Sequence, residues 1–157
     1  MAAIAKHHAE ELATAAVQET QYGVQADKAR KNLFAAETIY EFIRPMKTVG
    51  VVQRHETERV VEIAEPFGVV AAIIPSTNPT STAIYKLLIA MKARCAIVLS
   101  PHPSAVHCIT QTAELLAGAA SQAGAPDGAI NWMTDVSLEG TQALMSCREV
   151  SVILATG

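Results

Sequence analysis

The sequence of 157 residues has no excess of positive charge. Its net charge is −3, and no run of Lys and Arg is longer than two residues. Because a nucleic-acid surface needs clustered cations, we expect no nucleic acid partner. No apolar run approaches the roughly 20 residues that cross a membrane, and Lys6 interrupts the start, where a signal peptide would be apolar. These absences predict a cytoplasmic protein without a membrane partner.

Cysteine is sparse and irregularly spaced. The three cysteines are Cys95, Cys108 and Cys147, and no CxxC pair is present. We therefore predict no metal site and interpret the thiols as small apolar side chains.

The glycine motifs GxGxxG and GxxxxGKS/T are also missing, and the absence of the second argues against a P-loop. Any dinucleotide must then be held without the usual Rossmann fingerprint.

Aromatic residues make up only 4% of the chain, whereas 50% of it is hydrophobic. A core of Ala, Val, Ile and Leu follows, which is typical of α/β proteins. Residues 1–66 are predicted to form two helices and a β-hairpin. The first helix ends at Gly23, the second covers 25–43, and the hairpin pairs 48–54 with 58–64.

From Gly68 onward, apolar strands alternate with amphipathic helices. Strands are predicted at 69–74, 96–99, 129–133 and 150–154, and helices at 80–94, 104–123 and 137–147. This alternation predicts the α/β class, with a doubly wound, Rossmann-like parallel sheet over residues 67–157. On the first of these helices, Lys86, Lys92 and Arg94 are interpreted as a solvated edge.

Two loops are candidate sites because they follow the first and second parallel strands. In the first, Asn78 suits the N-cap of a helix and Pro79 its first position, while Ser76 and Thr77 add hydroxyls. It is either a capped helix start or a site for an anion or a polarised oxygen. The second loop is Ser100-Pro101-His102-Pro103, where a doubly wound sheet holds a ribose. A rigid turn with an exposed His102 explains that loop equally well.

Several separated stretches resemble the CoA-acylating aldehyde dehydrogenases. They are VEIAEPFGVV at 61–70, IPSTNPTSTA at 74–83 and SPHP at 100–103, with QETQYG at 18–23, DK at 27–28, KN at 31–32 and ILATG at 153–157. The resemblance covers essentially the whole chain, and its motifs occur in the family's order. It implies the cofactor domain of an aldehyde dehydrogenase, preceded by N-terminal helices and the hairpin.

The resemblance also implies roles for individual residues. Asn78 would donate its side-chain amide to the oxyanion of a thiohemiacetal and thus act as the oxyanion donor. The remaining candidates would contact NAD: Ile74, Pro75, Ser76, Thr77 and Pro79 beside the substrate tunnel, Ser100, Pro101, His102 and Pro103 at the adenosine end, and Thr156 and Gly157 near the pyrophosphate. The 100–103 loop has no Arg or Lys to meet a 2′-phosphate, which favours NAD over NADP.

In this family, a cysteine attacks a small aldehyde and coenzyme A takes the resulting acyl group. None of the three cysteines matches that nucleophile, so we expect an N-terminal fragment that carries the cofactor-binding portion and is inactive alone. The full-length enzyme would be a homo-oligomer. Two alternatives remain open: a stand-alone nucleotide-binding or scaffold module, and a non-acylating aldehyde dehydrogenase. The latter fits less well because Thr77 precedes Asn78 and Ser100 occupies the position of a Lys.

Overall fold

A computed structural model describes residues 1–157 and begins with a helical region. The first predicted helix is broken at His8, whose side chain bonds Glu11 at 2.7 Å. The second is continuous but contains a π-helical turn over Phe34–Ile39. The helices are α1 (Ala2–His7), α2 (Ala9–Thr20), α3 (Gln25–Leu33) and α4 (Tyr40–Ile43). No helix of the chain combines the length and the apolar character needed to cross a membrane.

The predicted β-hairpin is confirmed. Strands β1 (Gly50–His55) and β2 (Val60–Ala64) pair antiparallel and form a sheet of their own. Its apolar side chains are largely exposed, including Val60 and Ile63. The hairpin therefore contributes little to the core of this chain.

The predicted parallel sheet is confirmed as well. Its strands are β3 (Val69–Ile74), β4 (Ala96–Pro101), β5 (Ile130–Trp132) and β6 (Val150–Ala155). Their spatial order is β5-β4-β3-β6. Strands β4 and β5 are therefore added on one side of β3, and β6 is added on the other side of β3. The reversal between β3 and β6 is the point at which this class of sheet binds ligands.

Three helices connect these strands: α5 (Pro79–Lys92), α6 (Val106–Gln122) and α7 (Leu138–Ser146). The apolar face predicted for α6 is buried, including Ile109 and Leu116 at 0% exposure. Helices α5 and α6 pack together and against the N-terminal helices, whereas α7 contacts β6. Most of the core therefore lies on one side of the sheet, and Ile153 on β6 is 45% exposed.

The solvated position predicted for Lys86 is wrong. Its side chain is 1% exposed, and Nζ donates to Ile73 O at 2.8 Å and to Leu154 O at 2.7 Å. Burial lowers the pKa of Lys86 to about 8, so the ammonium remains charged at neutral pH. The charge is tolerated because carbonyl oxygens at the ends of two neighbouring strands accept its hydrogen bonds.

Helix α6 is capped by a residue far away in the sequence. Glu19 accepts from the backbone N–H of His107 at 2.8 Å and of Cys108 at 2.7 Å. Partial burial opposes ionisation, but these N–H donors outweigh it and hold the pKa of Glu19 below its ordinary value. A carboxylate at a helix N-terminus also interacts favourably with the helix dipole.

Because its pKa is lowered by folding, Glu19 stabilises the chain at neutral pH, and this contribution is lost as acid protonates it. We expect Glu19→Gln to lower the free energy of unfolding at pH 7 by about 1 kcal/mol. The difference from the parent should shrink as pH falls below the ordinary pKa of a glutamate. Urea denaturation across pH 3–7 measures it, with the exposed Glu10→Gln as a control. A difference that stays constant with pH would contradict the charged cap.

Candidate active site

The carboxyl edge of the sheet brings together two predicted site segments at the strand reversal. The turn after β3 lies against the end of β6, since a Cβ placed on Gly157 would be 4.0 Å from Pro75 Cβ. Tyr85 on α5 also bonds Thr156 through their hydroxyl oxygens at 3.1 Å. The structure thus places these segments side by side, as a shared binding cleft requires.

The turn after β3 is held from behind by helix α3. Lys28 Nζ donates to the backbone oxygen of Thr77 at 2.7 Å. Thr80 donates through Oγ1 to Asn32 Oδ1 at 2.8 Å, and Asn32 Nδ2 donates to Ala9 O at 2.9 Å. Asn32 is fully buried and Lys28 is 5% exposed. Burial, with the nearby charge of Lys31, lowers the pKa of Lys28.

Asn78 stands at the predicted N-cap position of α5, but its side chain does not cap the helix. Its Oδ1 accepts a hydrogen bond from Lys31 Nζ at 2.8 Å. The expected side-chain cap is therefore wrong, because a lysine from another helix takes the oxygen. The Nδ2 group of Asn78 donates to no atom of the chain and is free for a ligand.

The surroundings of Asn78 combine a polar opening with an apolar floor. Ile74, Pro75 and Pro79 are buried, Ser76 is half-buried and Thr77 is exposed. No side chain caps the amino end of α5, where Pro79 occupies the first turn. Uncapped N–H groups at a helix start suit an oxygen that carries negative charge. The cofactor contacts of these residues stay predictions.

The second predicted loop is divided between buried and exposed residues. Ser100 is 2% exposed and its hydroxyl bonds that of Thr141 at 2.8 Å; Pro101 is buried too. His102 and Pro103 are exposed, and His102 Nδ1 accepts from the backbone N–H of Ser104 at 3.1 Å. Only His102 and Pro103 present surface to a ligand. Adenosine contact by the loop stays a prediction, and Ser100 would act there through packing.

No cysteine of the chain stands ready at this edge as a nucleophile. Cys95 is buried at the start of β4, and the exposed Cys147 follows α7, before β6 begins. Cys108 is buried, and burial together with neighbouring Glu19 raises the pKa of its thiol far above the usual value. Burial denies a substrate access to Cys95 and Cys108, and Cys147 lies at the opposite end of the sheet, where β6 begins. No three His, Cys, Asp or Glu side chains converge as metal ligands.

A cavity of about 840 Å³ opens at the opposite edge, beside the amino ends of β4 and β5. Its lining is mainly apolar, with Arg44, Lys92, Arg94 and Asp127 as charged members. The Lys92 ammonium is already used by Arg44 O at 2.8 Å. Because parallel α/β sheets bind ligands at the carboxyl edge, the surface around Asn78 is the better candidate.

The sequence profile described as "Aldehyde dehydrogenase family" matches residues 1–157. The aldehyde-alcohol dehydrogenase of Streptococcus pneumoniae is 49% identical over 147 residues, which are 94% of this chain and 17% of that protein. The chain thus spans about one sixth of such curated relatives.

Solved structures of aldehyde dehydrogenases are also similar to this chain. An acetylating aldehyde dehydrogenase from Geobacillus thermoglucosidasius is 53% identical, with a TM-score of 0.98 over 100% of this chain and 35% of that one. An engineered glycolyl-CoA reductase with bound NADP+ is 28% identical, with a TM-score of 0.79 over 94% of this chain and 33% of that one. The fold is that of acylating aldehyde dehydrogenases, including the N-terminal helices and the hairpin.

Proposed function

Because this chain belongs to the aldehyde dehydrogenase family, we propose that it supplies the cofactor-binding part of an enzyme that converts an aldehyde and coenzyme A to an acyl-CoA. The single observation that carries this proposal is the unpartnered Nδ2 group of Asn78 at the strand reversal, beside the uncapped start of α5. The term complete enzyme is used below for this chain joined to the sequence that supplies the nucleophilic cysteine. The boundary between residues 66 and 67 is proposed as the start of its nucleotide-binding core.

The residues at the carboxyl edge fit a nicotinamide cofactor and a polarised aldehyde oxygen. When bound, the cofactor supplies the hydride acceptor. Asn78 Nδ2 donates to the aldehyde oxygen as it gains negative charge, and the free N–H groups of α5 add to the same field. Ile74, Pro75 and Pro79 exclude water beneath the reacting centre, which strengthens that hydrogen bond. His102 and Pro103 form the surface for the adenosine end.

We propose NAD as the cofactor. The exposed residues of the 100–103 loop carry no Arg or Lys to pair with a 2′-phosphate. The glycolyl-CoA reductase with bound NADP+ is only 28% identical, so its cofactor does not carry over to this chain. Acetaldehyde, propanal and sulfoacetaldehyde are all candidate substrates.

We further propose that the complete enzyme is a homo-oligomer, since Val60 and Ile63 leave apolar surface on the hairpin.

One assay tests the reaction and the cofactor together. The complete enzyme is given acetaldehyde and coenzyme A with either NAD or NADP, and acetyl-CoA and reduced cofactor are measured. We expect acetyl-CoA in equal amount to the reduced cofactor, and kcat/KM for NAD at least about tenfold above that for NADP. His102→Arg should narrow this ratio by giving the 2′-phosphate a partner. Release of free acetate without coenzyme A, or a preference for NADP, would overturn the corresponding proposal.

A further inference from the structure

We propose that Lys31 is a positioning residue of this active site, which fixes the side-chain amide of Asn78 so that Nδ2 faces the reacting oxygen. The inference rests on the proposed role of Asn78 as hydrogen-bond donor. It starts from the 2.8 Å contact between Lys31 Nζ and Asn78 Oδ1. Nothing in the local sequence connects these two residues, which stand 47 positions apart.

The contact decides which way the amide points. An ammonium group has three donors and no acceptor, so the atom of Asn78 that faces Lys31 must be the carbonyl oxygen. The NH2 group then points away from Lys31. Without this partner, Oδ1 of an N-cap asparagine ordinarily turns to the free N–H groups at the start of its own helix. Lys31 thus competes with the helix for the oxygen and keeps the amide available.

Helix α3 is well suited to hold this lysine because the same helix is already anchored to the turn. Lys28 holds the Thr77 carbonyl and Asn32 holds the Thr80 hydroxyl, on either side of Asn78. Residues 28, 31 and 32 are three and four positions apart, and therefore lie on one helical face. The three contacts differ in kind: Lys28 and Asn32 place the backbone and helix start, whereas only Lys31 sets the direction of the Asn78 side chain.

A double-mutant cycle in the complete enzyme separates orientation of Asn78 from support of the fold. We expect Lys31→Met to lower kcat by about tenfold with little change in KM for cofactor, since the donor is misdirected but present. Lys31→Arg should restore most of the rate, because a guanidinium also only donates. In an Asn78→Ala background, Lys31→Met should change kcat by less than about twofold.

Two lysine variants serve as controls. Lys28→Met loosens the turn itself, so its effect should be of similar size with or without Asn78. Lys6→Met removes an exposed ion pair with Glu37 and should leave kcat unchanged. Equal losses from Lys31→Met in both backgrounds, or no loss while Asn78→Ala remains severely impaired, would overturn the positioning role alone. An Asn78→Ala enzyme with full activity would overturn the proposed donor and this inference together.

Discussion

Replacing Asn78 with Ala in the complete enzyme is expected to lower kcat for aldehyde oxidation by about 100-fold to 1,000-fold. The reason is that Nδ2 would bond an oxygen whose negative charge grows only as the reaction proceeds. Such a bond is stronger in the transition state than in the ground state, so its loss affects kcat rather than substrate binding. Steady-state kinetics with acetaldehyde, coenzyme A and NAD measure the effect, and NAD binding should persist.

The matched control for this prediction is Asn131→Ala. Asn131 is an exposed residue of β5 whose amide donates to Gly128 O at 2.6 Å, away from the β3–β6 reversal. We expect its removal to leave kcat unchanged. An Asn78→Ala enzyme whose kcat stays within about threefold of the parent would remove Asn78 from the chemistry. Its helix position would then be a structural feature only.

The second large effect is expected on stability. Lys86→Met should lower the free energy of unfolding by about 2 kcal/mol, because it leaves the carbonyl oxygens of Ile73 and Leu154 without their shared donor. Methionine fills much of the same volume, so the loss reports hydrogen bonds rather than a cavity. Urea denaturation followed by the fluorescence of Trp132, the only tryptophan of the chain, measures it.

Lys92→Met is the control within the same helix, since its ammonium donates only to the backbone of the exposed Arg44. We expect Lys92→Met to change the free energy of unfolding by less than about 0.5 kcal/mol.

The stability of the parent chain should also depend on pH in a characteristic way. Burial lowers the pKa of Lys86 from 10.5 to about 8. Between pH 8 and pH 10.5 the unfolded chain therefore binds more protons than the folded chain, so the free energy of unfolding should rise with pH over this range. Two results would contradict the proposed link between β3 and β6 through Lys86. One is equal destabilisation by both variants, and the other is a Lys86→Met variant whose stability rises with pH as much as that of the parent.

Lys86 connects this stability to the proposed site. Its two acceptors lie at the carboxyl ends of β3 and β6, the strands that lead into the Pro75 turn and into Thr156. The ammonium therefore holds together the two walls of the cleft. The charge of Lys86 alone does not predict its buried position, because its acceptors lie on two other segments of the chain.

Local sequence patterns are sufficient to predict the helices, the strands and the family. Apolar runs such as 69–74 and the periodic face of α6 are local patterns, and local backbone preference with burial is enough to produce them. Residues 74–83 and 100–103 carried the resemblance that the family comparison confirms, because these motifs are continuous in the chain. The sequence does not predict the break at His8 or the π-helical turn, since neither has a strong local signature.

The support of the site depends on contacts between residues that are distant in the sequence. The direction of the Asn78 amide depends on Lys31, 47 positions away, and the capping of α6 depends on Glu19, 89 positions from Cys108. The burial of Lys86 depends on Leu154, 68 positions away. A polar side chain takes the partner that packing brings within about 3 Å, and that choice is made after distant elements meet. The sequence therefore predicted which residues stand at the carboxyl edge, while packing determined where their donors and acceptors point.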